Sequence, residues 1–453
     1  MSAIASKRVA DTTRVISARE VALQVVRDVF GDSPRAARES LDYRTRAANL
    51  SPRDRGFATE LAYGAIKMRR ALDFILQPYL GERQSTIPKP IAEILRLGAY
   101  QLRFMNGVED YAAVSESVGL ARRYGHKGTA GLVNAVLRKV AVDQPRPMVG
   151  DDEDAQALRG SLPTWIVAHW HARFGAERTE QIIKGVNSPA AIGLCVDLRR
   201  GTRDEVLGAL LQAGHAAHPS PFALDTIVLD GAGASSELDA LSGERWVMHA
   251  EAACFPVDIL DPQAGETIFE ACSGRGNKTL QIVSRMHDDG RIESIDLDER
   301  RVTRAIERIG AAGVTSVTMS ARDATVAAGV PDADRVLVDA PCSGLGIVGR
   351  QPEARWRKDP SDGARLAPLQ GDILATSSER VKPGGVLVYS VCSTDVRECE
   401  NVVDAFLEKH QAFARAPLPA RYAAYVTPVG DLLVPPGIEG RDGFYVARLL
   451  RSA

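Results

Sequence analysis

The segment Thr267-Ile268-Phe269-Glu270-Ala271-Cys272-Ser273-Gly274-Arg275-Gly276-Asn277-Lys278-Thr279-Leu280 decides the fold. A strand-like run ends near Ala271, two glycines interrupt it, and an apolar helix follows from Leu280 to Val283. Glycines at a strand-to-helix turn let the backbone approach a ligand closely, and the start of the helix favours an anionic group. The next strand-like run, Arg291–Ile295, is closed by Asp296, an acid placed to accept bonds from ribose hydroxyls.

Downstream, the spacing predicts strands at Ser316–Met319, Arg335–Asp339 and Gly385–Ser390, with a last strand at Gly443–Leu449. Strands alternating with helices predict a doubly wound, mostly parallel α/β sheet. Asp323 follows the third strand, placed to accept from an adenine amino group, and Asp339 closes the fourth. Three acids after successive strands outline a nucleoside pocket. A phosphate-binding loop would need glycine directly before Lys278, where Asn277 stands; a dinucleotide fold would want a further glycine at Thr279. S-adenosylmethionine, whose methionine carboxylate can meet the helix start, fits the pattern better.

Upstream the character changes. From Ser17 to about Val140 the apolar residues recur at helical spacing, as in Ala22, Val25, Val26 and Val29, and no alternating strand pattern appears. Ser51 and Pro52 read as a cap and first helical residue. A linker is expected from Asp143 to Ser161, with Pro145, Pro147 and the acidic run Asp151-Asp152-Glu153-Asp154. Beyond it, helices at Pro163–Phe174 and Arg203–Gln212 mix with strands at Ile192–Leu198 and Thr226–Leu229. The expected division is an all-helical domain over 1–145, a linker and small α+β region over 146–250, and an α/β domain over 251–453. A chain of 453 residues is long enough for two or three such cores.

The net charge of −2 conceals an asymmetry. Residues 1–145 hold 23 Lys and Arg against 15 Asp and Glu, a surplus of eight positive charges balanced by ten negative ones downstream. A basic module ahead of an acidic one points to a polyanionic partner for the first. Lys67, Arg69, Arg70, Arg122 and Arg123 are candidate phosphate contacts. No apolar run approaches the roughly 20 residues that span a bilayer. Lys7 and Arg8 have no apolar stretch behind them, so no secretory signal is expected. Six cysteines without regular spacing argue for reduced thiols in the cytoplasm. His169/His171 and His215/His218 lack the pattern of a metal site, and no metal is expected.

Two thiols stand apart from the other four. Cys342 lies in Asp339-Ala340-Pro341-Cys342-Ser343-Gly344 and Cys392 in Tyr389-Ser390-Val391-Cys392-Ser393, each at the end of an apolar run. One chemistry asks for two thiols in a pocket, methylation of carbon 5 of a pyrimidine. A thiolate adding to carbon 6 makes an enamine whose carbon 5 can attack a methyl donor. A second group then helps remove the carbon-5 proton and expel the thiol.

The first of these segments, continuing through Gly346, Arg350, Pro352, Glu353 and Trp356, resembles motif IV of RNA cytosine-C5 methyltransferases. The second, with Thr394, Glu398, Glu400 and Asn401, looks like their motif VI. Leu97–Leu102, Ala113–Val118 and Leu132–Arg138 are similar to a NusB-like RNA-binding module. Together they match the layout of the bacterial RsmB (Sun/Fmu) family over nearly the whole chain. The resemblance implies a class I, Rossmann-like methyltransferase domain behind an all-α NusB-like domain and a small α+β region. It implies methylation of carbon 5 of a cytosine in free or early-assembly 16S rRNA, of the cytosine-967 type, by a cytoplasmic monomer. It makes Cys392 the nucleophile, Cys342 the residue that assists product release, and Asp339 the contact to the base ring. Cys272, Ser273, Gly274, Arg275, Gly276, Asn277 and Lys278, with Asp296, Asp323 and Asp339, would hold S-adenosylmethionine. The family's turn usually reads Cys-Ala-Ala-Pro-Gly-Gly-Lys, from which Ser273, Gly274, Arg275 and Asn277 depart, and Val391 stands where threonine is common. Two alternatives stay open: an RNA-binding assembly factor with weak or lost methyl transfer, and a tRNA-directed enzyme of the same chemistry.

Overall fold

The structure is a computed structural model that describes residues 16–230, 238, 241–326 and 329–453. The segment 1–11, read above as lacking a secretory signal, lies outside them. The chain divides between Asp151 and Asp152 into two compact units.

The first unit is helical, with α1 (Ala18–Phe30), α2 (Ala37–Ala47), α3 (Pro52–Lys67), α4 (Arg69–Leu80), α5 (Lys89–Phe104), α6 (Asp110–Tyr124) and α7 (Lys127–Val142). The Ser51 hydroxyl caps α3 by accepting from the Asp54 N–H, with Pro52 opening the helix as its spacing predicts. Val21, Val25, Val26 and Val29 of α1 turn inward, as do Ile94, Leu97 and Leu137 from α5 and α7. Two of the expected phosphate contacts are otherwise engaged. Arg69 makes a two-pronged pair with Glu93 at 2.9 and 3.0 Å, and Arg123 donates to the buried Glu20. A guanidinium locked by a carboxylate in this way offers a phosphate less of its charge.

The second unit opens with a correction. Within the expected linker, Asp152 caps a helix, α8 (Glu153–Arg159), by accepting from the Ala155 N–H. Glu153 and Asp154 occupy its first turn, where negative charge meets the positive helix end. Next come α9 (Thr164–Phe174), α10 (Ala176–Asn187), β1 (Ile192–Val196), α11 (Arg203–Gln212), β2 (Ala217–Pro219), β3 (Thr226–Leu229) and β4 (Trp246–Met248). The four strands form an antiparallel sheet ordered β2-β3-β1-β4. A capping box between Thr202 and Glu205 starts α11.

The large sheet follows, with α12 (Glu251–Leu260), β5 (Thr267–Ala271), α13 (Asn277–Met286), β6 (Arg291–Asp296), α14 (Glu299–Ala311), β7 (Val317–Ala321), β8 (Ala333–Asp339), α15 (Ala354–Arg357), α16 (Asp362–Ser378), β9 (Val381–Val391), α17 (Glu400–Lys409), β10 (Phe413–Arg415), β11 (Leu432–Val434) and β12 (Phe444–Arg451). Its order is β10-β12-β9-β8-β5-β6-β7, with β11 added to β12. The five strands from β9 to β7 run parallel, and β12 joins β9 antiparallel. Val336, Leu337 and Val338 are buried on both faces, as a parallel strand covered by helices requires. On α14, Val302, Ala305 and Ile309 face the sheet; burying each of the two larger ones contributes about 1.5–3 kcal/mol. Cys195 of β1, Phe255 of α12, Ile268 of β5 and Val388 of β9 share one apolar core, so the small sheet and the large sheet pack on α12. Strand order reverses around β5, which opens a crevice at the carboxyl ends of β5 and β8.

Candidate active site

Register explains why the two thiols meet. In the parallel pair β8–β9, Asp339 stands opposite Ser390. Cys342 lies three residues beyond the first and Cys392 two beyond the second, so both leave the sheet at the same edge. Their sulfurs are 3.2 Å apart, and both cysteines are free and partly exposed. The bond to Cys392 pushes the Cys342 thiol well above its ordinary range, and burial and the Cys392 and Glu398 charges add to this. Cys342 therefore keeps its proton and can donate it to the Cys392 sulfur. Gly346 makes room for this approach: its N–H donates to the Cys392 carbonyl at 3.0 Å, and a Cβ would sit 2.0 Å from the Gly443 carbonyl.

Asp339 is held from two sides. Lys278 Nζ donates to one carboxylate oxygen at 2.7 Å and Ser390 Oγ to the other at 2.8 Å. Burial works against the Lys278 charge, but Asp339 more than offsets it and leaves the ammonium above its ordinary value. The Cys392 sulfur also lies within electrostatic reach of Lys278.

The glycine turn joins β5 to α13. Cys272, Gly274 and Gly276 adopt φ of +60°, +59° and +74°, so both glycines fall where the backbone is left-handed. Asn277, the first residue of α13, needs no glycine, and its side chain accepts from Arg308 of α14. The unusual sequence at 273–277 thus keeps glycine at the two left-handed sites after Cys272. Asp296 is fixed by the Gly274 and Asp298 N–H groups at 2.8 and 2.9 Å. Asp323 accepts from the N–H and hydroxyl of Thr325 at 2.9 and 2.7 Å and is itself exposed. Burial pushes the Cys272 thiol up to about 12, and the charges of Asp296, Asp339, Glu270 and Asp323 act in the same direction. Glu270 within β5, Asp296 and Asp339 at the ends of β6 and β8, and Asp323 after β7 therefore share one neighbourhood. A left-handed turn, acids along one edge and the exposed apolar Leu297 beside Asp296 fit a cationic nucleoside with an amino-acid tail.

Three groups around this site were not assigned from the sequence. Glu270 is buried beneath the turn and accepts from the Thr279 and Ser294 hydroxyls at 2.5 and 2.8 Å. Burial raises its carboxyl to about 7 against the pull of those hydroxyls. Glu398 was noted only as part of a motif, yet it binds the residue after each cysteine. His169 of α9 meets the Thr394 carbonyl and hydroxyl at 3.2 and 3.3 Å, two residues past Cys392. Arg173 of the same helix pairs with Glu400. Such partners, more than 220 positions apart, leave no sequence signal. Cys195, Cys254 and Cys399 are buried.

A sheet with five parallel central strands, helices between them and an antiparallel strand beside β9 is the fold of a Rossmann-like methyltransferase. Family models match as 16S rRNA methyltransferase RsmB/F over 257–450, NusB family over 16–142 and an RsmF/B-like ferredoxin-like domain over 162–235. The probable ribosomal RNA small subunit methyltransferase B of Bacillus subtilis is 33% identical, covering 90% of this chain and 93% of that one. The ribosomal RNA small subunit methyltransferase B of Thermus thermophilus is 34% identical, covering 96% and 97%. This chain belongs to the RsmB/F family of 16S rRNA methyltransferases. Among solved structures, PH0851 superposes with a TM-score of 0.82 at 22% identity, covering 96% of this chain and 99% of that one. NSun6 from Pyrococcus horikoshii, solved with SFG, gives 0.57 at 18% identity, covering 64% and 98%. Among the described residues, no helix is long and apolar enough to cross a membrane.

Proposed function

We propose that the protein methylates carbon 5 of a cytosine in 16S rRNA through a covalent adduct at Cys392. The observation that carries this reading is the pair of cysteine sulfurs 3.2 Å apart, beside the Lys278–Asp339 pair and the glycine turn. The turn, Asp296, Asp323 and Asp339 would hold S-adenosylmethionine, which supplies the methyl group as an electrophile when bound. Cys392 attacks carbon 6 as thiolate, with Lys278 nearby and Cys342 donating to it until attack. Asp339 orients the ring, and electron density released onto carbon 5 lets that carbon take the methyl group.

Bond formation at Cys392 also changes its partner. The main cause that keeps Cys342 protonated is its bond to the Cys392 sulfur, and a sulfur bonded to carbon no longer supplies it. Cys342 then gives up its own proton to solvent, accepts the carbon-5 proton as thiolate, and so restores the ring as Cys392 departs as thiolate. The target base must leave its stack to reach the thiols, which favours RNA not yet buried in a ribosomal subunit. We read the enzyme as a cytoplasmic monomer.

The test is adduct trapping. Cys342→Ala, incubated with unmodified 16S rRNA and S-adenosylmethionine, should accumulate a protein–RNA species that survives a denaturing gel, with methylated cytidine on the Cys392 peptide. The double variant Cys342→Ala/Cys392→Ala should give none. A linkage at another residue, or full turnover without Cys342, would contradict the mechanism.

A further inference from the structure

Behind the two thiols, away from the pocket, lies one buried carboxylate. Glu398 has no exposed surface, and four donors converge on it. One oxygen accepts from the Ser343 N–H at 2.7 Å and from Gln370 Nε2 at 3.0 Å. The other accepts from the Ser393 hydroxyl at 2.5 Å and from the Ser343 hydroxyl. The two hydroxyls are themselves 3.0 Å apart. Ser343 follows Cys342 and Ser393 follows Cys392, so a single side chain ties together the residues next to both sulfurs. Further bonds hold the strut: Gln370 also donates to the Pro341 carbonyl at 2.9 Å, and the Tyr389 hydroxyl donates to the Glu398 carbonyl at 2.7 Å.

Burying a carboxylate is costly, and apolar packing of the same volume often serves stability as well. What apolar packing cannot do is bind two loops at fixed points. We propose that Glu398 is a positioning residue that sets the distance between the Cys342 and Cys392 sulfurs through Ser343 and Ser393. The inference rests on the proposed roles of those cysteines. Glu398 touches neither base nor methyl donor; it acts through the loops that carry the thiols. Its charge has a second consequence. Around the pair, the groups facing Cys342 are Cys392, Glu398 and the Tyr389 hydroxyl, while Lys278, itself paired with Asp339, faces Cys392. Of these, Glu398 and Cys392 favour the protonated form of Cys342.

Glu398→Gln keeps the size but removes the charge and turns one accepting oxygen into an NH2 donor that faces other donors, which loosens its hold on the two loops. Misplacing reacting groups by about 1 Å can cost on the order of 100-fold. The variant should lower kcat by about that factor with unchanged KM for S-adenosylmethionine and rRNA, and the alkaline limb of its pH–rate profile should move to lower pH. A second readout needs no methyl transfer: iodoacetamide labelling of Cys342 against pH, read by peptide mass spectrometry, should begin at lower pH in the variant. Should Glu398→Gln not fold, Ser393→Ala cuts the side-chain bond to the Cys392 loop and should lower kcat at unchanged KM. Wild-type kcat in the folded variant, or a lowered kcat with both pH profiles unmoved, would overturn the proposal. Wild-type protein inactive on rRNA, with the labelling shift intact, would instead count against the proposed reaction and leave the strut standing.

Discussion

Glu270 sits at the carboxyl end of β5 with no exposed surface and two hydroxyl partners. Its folded-state carboxyl titrates near 7, above the ordinary value of a free glutamate, mainly because burial disfavours the charge. A raised acid binds more protons in the folded chain than in the unfolded one. Its contribution to stability is therefore complete below the ordinary glutamate range and is lost as pH rises through about 7. The size is about 3 kcal/mol. Urea unfolding at pH 5 and pH 8 should show wild type losing stability at the higher pH, and Glu270→Gln should flatten that loss. An identical slope in both proteins would mean that the folded and unfolded carboxyl groups titrate alike. Of the site residues, the thiols and strand-end acids were legible because each stands in a short local pattern. Glu270 was not, since an acid inside an apolar strand looks in one dimension like a solvent-facing one.

At the scale of elements, α12 is the piece to which both sheets are fastened. Its Asp258 is buried and accepts from Arg285 of α13 at 2.5 Å, from the Tyr422 hydroxyl at 2.9 Å, from the Leu224 N–H at 3.2 Å and from Arg421. Arg285 also reaches the buried Asp225, at 2.8 Å. Removing one member of such a cluster leaves an uncompensated buried charge, at a cost of roughly 3–5 kcal/mol. Asp258→Ala should lower the denaturation midpoint accordingly, and a change below 1 kcal/mol would show that the cluster is not coupled to folding. The strands at the centre of the sheet were readable as apolar runs bounded by turns, and Thr226–Leu229 and Arg203–Gln212 coincide with their predicted limits. β2, β4, β10 and β11 have three residues each, too few for any periodicity to show. α8 was hidden because its acidic first turn reads, in isolation, like linker composition.

Across the whole molecule, the chain pairs a basic helical unit with a unit that carries the paired thiols and the glycine turn. Charge of this sign gives RNA affinity that falls with salt, while phosphate contacts alone do not choose a base. On the proposed mechanism, choice then depends on which pyrimidine can reach Cys392. The surplus charge was legible from residue counts; that Arg69 and Arg123 spend theirs on Glu93 and Glu20 was not, because both partnerships depend on how the helices pack. The most direct measurement offers methyl-labelled S-adenosylmethionine with unmodified 16S rRNA, with assembled small subunits and with tRNA, and identifies the labelled nucleoside by mass spectrometry. The account predicts 5-methylcytidine at one position of free 16S rRNA, little or none in the assembled subunit, and none in tRNA. Label in tRNA, in a nucleoside other than 5-methylcytidine, or in no RNA at all would contradict it.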